Sequence, residues 1–391
     1  MTLEKDYIQH VNALHNFCKY QKYKGYDPYD TLNGWLPFHW LGKWGPVFAI
    51  QFQKRNPINI RPLIGIKKGH NPKAMGLLLN AYSNLYKNTG EQSYRETADY
   101  LFQWLIDNYS RGFSGYCWGY NFDWANPVKT VHAYHPNIVA TSFVAKGMYN
   151  YYSVIEDQNI PEILESICNY IINDLPITEN EYGVCFSYTD IKKECCFNAN
   201  MLGTEILAKT YSITNNSNYL NYIEKAVDFT LAYQKNDGRW NYSIDIESGK
   251  ERSQIDFHQG YILESLYEIM KCTDLSEKKY QQALEKGTSF YRNVQFTNEG
   301  ISYWRYPKYY PIEIHNQSQG IITFSLLRDL HPEYLPFAQK IAEWTIDNMQ
   351  DETGYFYYQK RKYFANKIPY MRWSQAWMLL ALTHLICNNS S

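Results

Sequence analysis

The chain has 391 residues, of which 38 are Lys or Arg and 39 are Asp or Glu, so its net charge is -1. This balance gives no electrostatic reason to expect binding to nucleic acid or to an anionic membrane surface. No apolar run approaches the roughly 18 residues that a membrane span requires. The N-terminal stretch from Met1 to Tyr23 lacks the apolar core of a signal peptide. We therefore expect a cytoplasmic protein without a membrane span.

Six apolar stretches recur along the chain, each at the end of a polar cluster. Every stretch carries a small residue in the same register, and these residues are 56 to 64 positions apart: Gly76, Ala140, Gly203, Gly260, Gly320 and Ala376. A repeat of this length is typical of helical repeat architectures. Each stretch is apolar nearly all round after its first turn, which predicts a buried helix. The small residues suit close approach of such helices.

More amphipathic helices are predicted between the buried ones, for example over residues 94–109, 219–234, 279–294 and 334–349. Alternation of buried and half-exposed helices predicts an all-α (α/α)6 toroid, a ring of six helical hairpins with buried inner helices. We expect residues 1–391 to form a single domain. Residues 1–60 are expected to pack on its cleft or to line it.

Short aromatic segments follow several glycines and lead into the inner helices, starting at Gly115, Gly183, Gly238, Gly300 and Gly354. They are typical of small strands or extended loops. These loops should gather Trp, Tyr, His, Asn, Gln and Asp on one face, whereas the opposite connections are plain polar turns. A ligand site is therefore expected on the aromatic face. Tyr and Trp suit stacking on sugar rings, although a Tyr-rich core is the simpler alternative.

This architecture resembles the (α/α)6 toroids of carbohydrate-active enzymes, such as six-hairpin glycosidases, unsaturated uronyl hydrolases, sugar 2-epimerases and polysaccharide lyases. Four segments narrow the resemblance: GYDPYDTLN (25–33), NPINIRPLIGI (56–66), WGYNFDW (118–124) and HPNIV (135–139). They look like bacterial proteins of exopolysaccharide, capsule and O-antigen biosynthesis, of the Vibrio-exopolysaccharide type. The resemblance implies a role in polysaccharide synthesis or remodelling, and it brings no settled reaction with it.

One group of candidate catalytic residues surrounds His315, at the start of the fifth inner helix, with Arg305 and Tyr306 just before it. Arginine suits bidentate binding of a carboxylate, and His and Tyr suit proton transfer. Together they fit a uronate epimerase or lyase. In the alternative, His315 caps its helix and Arg305 pairs with a local acid such as Glu313.

A second group is acidic. Glycoside hydrolysis needs two carboxyl groups, and Asp123 with Asp256 is the pair that the sequence offers. Asp256 could also orient a histidine such as His258, or it could simply cap its helix.

Further residues near the inner-helix starts are predicted to bind substrate: Trp124, His135, Asn137, Asn198, Gln259, Gln319, Arg372 and Trp373. Gln259, Gln319 and Gln375 share one register and could form a ring of amides pointing to a common place. In the alternative, these amides cap helices or satisfy buried loop carbonyls. Eight scattered cysteines without CxxC pairs, and the lack of P-loop or GxGxxG motifs, predict neither metal nor cofactor.

The leading hypothesis is a carbohydrate-active enzyme of exopolysaccharide, capsule or O-antigen biosynthesis. Its substrate would be an oligosaccharide or polysaccharide, neutral or uronate-bearing. The residues leave the reaction open between epimerisation or elimination and glycoside hydrolysis. The alternative is a non-catalytic glycan-binding or scaffold protein that works with other proteins of the synthesis machinery.

Overall fold

The computed structural model describes residues 3–126 and 129–386. These ranges contain thirteen α-helices: α1 (Leu3–Tyr20), α2 (Trp44–Arg55), α3 (Pro72–Thr89), α4 (Gln92–Asp107), α5 (Ile138–Ile155), α6 (Asn159–Asn173), α7 (Phe197–Thr214), α8 (Leu220–Ala232), α9 (His258–Cys272), α10 (Lys278–Val294), α11 (Ile314–Leu326), α12 (Tyr334–Met349) and α13 (Ala376–Ile386). A π-helical turn, Met371–Gln375, leads into α13. No helix within these ranges is both long and apolar enough to cross a membrane.

Six of these helices form a closed inner ring, in which α3, α5, α7, α9, α11 and α13 each contact the next and α13 returns to α3. Their residues are buried on nearly all sides for most of their length. Helices α4, α6, α8, α10 and α12 pack outside the ring, and α1 packs on α13. The predicted (α/α)6 toroid is confirmed.

The small residues of the repeat act in two ways. At Gly76 in α3, an added Cβ would lie 2.6 Å from the Cα of Val144 in α5, so the two inner helices touch backbone to backbone. At Gly203, Gly260 and Gly320 an added Cβ would instead meet neighbouring side chains. Close approach of inner helices therefore explains Gly76, while the other three glycines make room for packed side chains.

Ten short strands lie between the hairpins of the described ranges: β1 (Trp124–Ala125), β2 (Thr130–Val131), β3 (Ile177–Asn180), β4 (Gly183–Phe186), β5 (Cys195–Cys196), β6 (Ser243–Ile244), β7 (Glu251–Arg252), β8 (Ile312–Glu313), β9 (Gln359–Lys360) and β10 (Ala365–Asn366). They form two antiparallel hairpins, β1–β2 and β3–β4, and two three-stranded sheets, β5–β6–β7 and β8–β9–β10. The second and third strands of each three-stranded sheet come from the next hairpin unit, so the sheets join neighbouring units on the face where the inner helices begin.

One polar side chain in each of five successive inner-helix units binds the backbone of the loop that precedes the helix. These loop-binding residues recur every 58 or 59 positions: Thr141, Asn200, Gln259, Gln317 and Gln375. Gln259 is representative, since its Oε1 accepts from the Trp240 N–H at 2.9 Å and its Nε2 donates to the Trp240 carbonyl at 2.6 Å. The other four accept from one backbone N–H each, at Trp118, Phe186, Ser302 and Phe356. Buried backbone groups need such partners because water cannot reach them.

The predicted ring of substrate-binding amides is therefore wrong. Gln259 and Gln375 hold loop backbone, which was the alternative reading. Gln319 lies further into the ring, where its Nε2 donates to Glu264 and Thr323. The loop-binding residue of α11 is Gln317. It stands three positions before the repeat glycine Gly320, whereas Gln259 stands one position before Gly260, so alignment on the glycines points to Gln319 instead.

Below the face where the inner helices begin, a buried ionic network joins three of them. Lys146 of α5 contacts Glu205 of α7 at 3.2 Å and also pairs with Glu264 of α9. Lys209 of α7 pairs with Glu268 of α9. Burial alone raises the pKa of Glu268, but the attraction of Lys209 outweighs it and lowers that pKa to about 2. Two ammonium groups are thus shared by three carboxylates, and burial raises the pKa of the third, Glu205. Contact with an opposite charge is the condition for tolerating a buried charge there.

Replacing a loop-binding residue should destabilise the protein. Gln259→Ala leaves the Trp240 N–H and carbonyl without partners in a site that water cannot enter. We expect the free energy of unfolding to fall by about 1–3 kcal/mol, measured by urea denaturation. The matched control is Gln103→Ala, because Gln103 is exposed and its side chain donates to Asp107 on the surface. Equal stability of the two variants would contradict this role.

Candidate functional site

A cavity of about 600 Å³ opens where the inner helices begin. Its walls come from the starts of the inner helices, from the aromatic loops and from α2. Eight of the predicted site residues line it: Trp124, Asn198, Asp256, His258, Arg305, His315, Arg372 and Trp373. The structure therefore brings residues from distant parts of the chain together on the predicted face.

The other six predicted residues lie outside the cavity lining. Gln259 and Gln319 are explained above, and Asn137 caps α5 by accepting from the Ala140 N–H at 2.8 Å. His135 bonds Asp190 at 2.6 Å. Tyr306 is partly exposed and packs on Phe290 and Tyr303.

The predicted hydrolase pair does not form, because the sixth of these residues, Asp123, lies outside the cavity lining. Its carboxylate accepts from the Ala133 N–H at 2.7 Å and lies 3.4 Å from His132, on the surface. Asp256 lines the cavity without it. The suggested pairing of Arg305 with Glu313 is also wrong, because the Arg305 guanidinium lies 3.6 Å from Asp256.

The loop-binding residues place aromatic side chains on the cavity wall. In four of the five loops, the residue two positions after the bound N–H is aromatic and lines the cavity. These residues are Tyr120, Tyr188, Tyr242 and Trp304. In extended backbone, residues two apart point the same way. Fixing the first residue of the pair against the inner helix therefore fixes the direction of the second. The result is a wall of flat rings suited to a sugar.

His258 and Asp256 form a hydrogen-bonded pair at the start of α9. The His258 Nδ1 lies 2.5 Å from Asp256 Oδ1, so Nδ1 donates and Nε2 is left for a ligand in the cavity. Burial alone raises the pKa of Asp256, but His258 and then Arg305 outweigh it, so the pKa is lowered and the carboxylate stays ionised. An ionised carboxylate orients the imidazole and stabilises its protonated form, as a general base requires.

His315, Tyr261 and Lys73 form a second chain of polar groups. The Tyr261 hydroxyl lies 2.7 Å from His315 Nε2 and accepts from Lys73 Nζ at 3.4 Å. Burial, followed by the positive charge of Lys73, holds the pKa of His315 well below 6.5. Burial also lowers the pKa of Lys73 well below its usual 10.5. With the Tyr261 hydrogen directed to Nε2, the neutral imidazole carries its proton on Nδ1, which has no partner among the described residues.

The two histidines are close neighbours, joined by the ring of Phe257. The ring centroid of Phe257 lies 4.2 Å from that of His258 and 3.9 Å from that of His315, so both imidazoles contact this one ring. Tyr261 also contacts both imidazoles. Phe257 occupies the space between the imidazoles and itself lines the cavity, so a sugar bound over its ring would meet both.

Positive charge exceeds negative charge on the cavity wall. The cationic side chains are Lys54, Arg55, Lys73, Lys129, Arg252, Arg305, Arg361 and Arg372, against the carboxylates of Glu194, Asp256 and Glu313. Arg372 is neutralised by Asp27 through two bonds of 2.6 and 2.8 Å, and Lys129 pairs with Glu194. The remaining excess favours a ligand that carries negative charge.

Three cavity residues were missed in the sequence. Glu313 is buried and accepts from three donors, on Trp304, Gln359 and Trp373. Lys73 had a detectable signal, since a lone lysine opens a helix that is otherwise apolar for several residues. Tyr261 had none, because a tyrosine in an apolar helix most often belongs to the core.

No protein-family model matches the chain, and neither does any curated protein sequence. Among solved structures, cellobiose 2-epimerase from Bacillus thermoamylovorans is similar, with a TM-score of 0.63 and 13% identity over 80% of this chain and 87% of that one. The α-mannanase BT2949 of family GH76 from Bacteroides thetaiotaomicron gives 0.63 and 13% over 81% and 86%. The Lin0763 protein from Listeria innocua gives 0.63 and 13% over 98% and 97%. At these identities the likeness shows the (α/α)6 fold.

The His315 imidazole should remain neutral at pH 6. Burial disfavours its charged form, so its pKa lies well below 6.5 and its signal should not titrate between pH 6 and pH 8. NMR of protein labelled with ¹⁵N-histidine measures this, and His315→Gln identifies the signal. A midpoint near 6.5 would contradict the arrangement described above.

Proposed function

We propose that this chain is a carbohydrate-active enzyme that removes a proton from a sugar carbon next to a carboxylate, leading to epimerisation or β-elimination. The observation that carries the proposal is the pair of imidazoles that line one cavity and contact the same Phe257 ring. One is supported by Asp256 and suits a base, and the other is neutral and suits an acid. The excess of cations supports a uronate as the sugar.

The proposed reaction begins at His258. Its Nε2 takes the proton from C5 of the uronate, the C–H electron pair moves into the carboxylate, and Asp256 stabilises the imidazolium that forms. Arg305 lies next to this pair and suits the negative charge that develops on the carboxylate oxygens. The resulting intermediate can react in two ways.

In epimerisation, a proton returns to C5 from the His315 side, and His258 later releases its proton to solvent. In elimination, the electron pair forms a C4–C5 double bond and the oxygen on C4 leaves with a proton from His315. In either reaction the Tyr261 hydroxyl then supplies a proton to His315 along their hydrogen bond, and Lys73 returns a proton to Tyr261. Lys73 regains its proton from solvent, and in elimination too His258 releases the proton taken from C5 to solvent. Both outcomes use the same two imidazoles, so the cavity supports the shared first step more strongly than either product.

Glycoside hydrolysis has weaker support. It requires one free carboxylic acid and one free carboxylate facing the glycosidic bond. Of the buried acids in the cavity wall, Asp256 is engaged by His258, and Glu313 accepts from two tryptophans and an amide. Solved structures of this fold include both a sugar epimerase and a mannanase, so the fold does not decide between the reactions.

The setting of the reaction rests on the sequence resemblance. Four segments between positions 25 and 139 look like exopolysaccharide-type proteins, and we propose that the substrate is a glycan or glycan precursor of that cytoplasmic pathway. A non-catalytic scaffold would need the aromatic wall alone. It would have no need for a neutral buried histidine beside a His–Asp pair.

The test is incubation with uronate-bearing oligosaccharides in deuterated water, read by NMR and mass spectrometry. We expect deuterium at C5 or a new unsaturated sugar. His258→Gln should slow this exchange by about 10²- to 10⁴-fold, because the base is lost.

The matched control is His132→Gln, since His132 is exposed and lies outside the cavity. It should leave the rate unchanged. Shortened glycans without deuterium would show hydrolysis, and binding of these glycans without turnover would show a scaffold. Either result would contradict the proposed chemistry.

A further inference from the structure

The segment between the first helix and the first inner helix exposes large apolar side chains to solvent. Those that carry the argument are Trp35, Trp40, Trp44, Phe48, Phe52 and Leu63, which we call the aromatic surface. Trp40 is 80% exposed and Phe48 is 68% exposed. Isolated exposed apolar residues are ordinary, whereas contiguous ones indicate an interaction site, and the exposed Trp44 and Phe48 rings lie with their centroids 6.2 Å apart.

Helix α2 is oriented opposite to a normal surface helix. Trp44, Phe48 and Phe52 stand four residues apart on one face, and that face is exposed. The buried positions are Gly45, Ile50 and Gln53. An amphipathic helix usually buries its aromatic face in the core. Because α2 does not, this face is left uncovered by the described part of the chain.

The segment that carries the aromatic surface is basic. Residues 31–90 contain no Asp or Glu and eight Lys or Arg, of which Arg61 and Lys73 are buried. Lys43 precedes α2, and Lys54 and Arg55 end it. The overall net charge of -1 hides this local asymmetry.

A second element extends the surface. The β9–β10 hairpin carries Arg361, Lys362 and the 85% exposed Tyr363 at its turn. It is attached to the end of α2, since the Arg361 guanidinium donates to the Arg55 carbonyl at 3.1 Å and Asn366 donates to the Asn56 carbonyl at 3.2 Å. Exposed rings and basic side chains therefore lie side by side on two elements.

We propose that the aromatic surface binds the face of an anionic lipid bilayer. Trp and Phe insert at the boundary between headgroups and acyl chains, and neighbouring Lys and Arg bind anionic headgroups. Charge complementarity favours a bilayer over a second copy of the chain, because the flanking basic residues Lys43, Arg361 and Lys362 would repel their counterparts in a second copy. The inference goes beyond the proposed chemistry and does not depend on it.

The aromatic surface adjoins the cavity. Ile50 and Lys54 of α2 line the cavity, while Phe48 and Phe52 belong to the exposed face of the same helix. A helix is about 10 Å across, so binding here places the cavity entrance within about that distance of the lipid headgroups. A glycan attached to a lipid would reach the site directly.

The test is sedimentation of the full chain with vesicles of phosphatidylglycerol and, separately, of phosphatidylcholine. We expect binding to phosphatidylglycerol that weakens as salt is raised. The double variant Trp40→Ser with Phe48→Ser should bind about tenfold less or weaker still, because each ring contributes apolar area to the bilayer. The double variant Lys43→Glu with Lys362→Glu should also bind phosphatidylglycerol vesicles less. Its binding to phosphatidylcholine vesicles should not change.

The matched control is Tyr182→Ser, since Tyr182 is also an exposed aromatic residue but lies on the β3–β4 hairpin. It should bind as the unaltered chain does. Absence of binding to phosphatidylglycerol at low salt would overturn the proposal. So would a doubled mass in light scattering that the Trp40/Phe48 variant abolishes without any vesicle binding, because the surface would then belong to a second copy. Neither result depends on the deuterium experiment.

Discussion

Buried backbone at the entrance to the ring is the constraint on which this structure depends. Each aromatic loop passes over the start of an inner helix, where its N–H and carbonyl groups cannot reach water. A polar side chain of the helix supplies the missing partner, at Thr141, Asn200, Gln259, Gln317 and Gln375. In four of the five units the aromatic residue two positions on lines the cavity, so one repeated hydrogen bond fixes both loop and site.

The site uses the same helix starts for chemistry. Asp256 and His258 stand at the head of α9, Lys73 near the head of α3, and His315 at the head of α11. Burial acts on these groups in opposite ways. It keeps His315 neutral, whereas Asp256 stays ionised because His258 and Arg305 are close to it. Neighbouring groups whose proton affinities are driven apart in this way are characteristic of acid–base sites.

The N-terminal segment is held against the ring by a buried ion pair, in which Asp27 receives both bonds of the Arg372 guanidinium. Within the segment, Arg61 bonds Asp30 at 2.7 Å. Arg372, a predicted substrate-binding residue, lines the cavity, but its guanidinium donates two hydrogen bonds to Asp27. The segment in turn brings Tyr29 and Lys54 to the cavity wall. Its residues Trp44, Phe48 and Phe52 remain exposed on the outside.

The sequence allowed the toroid to be predicted because burial and helix length repeat along the chain, and both are local properties. It allowed eight cavity residues to be predicted because inner-helix starts share one face. Errors arose where the exact helix register decides which side chain reaches the loop. In α11 that side chain is Gln317, whereas Gln319 bonds Glu264. Asp123 was wrong because a position between two aromatic residues does not fix which way a loop side chain points. Lys73 and Tyr261 were missed because their importance lies in contacts across the ring.

The most direct test of the account is a crystal structure of the Asp256→Asn variant, in which turnover is slowed, with a bound uronate disaccharide. The account predicts that the uronate ring lies over Phe257, beside His258 and His315, with C5 within reach of the His258 Nε2 and the carboxylate at Arg305. A sugar bound outside the cavity, or one whose reactive carbon lies beyond reach of both imidazoles, would contradict it.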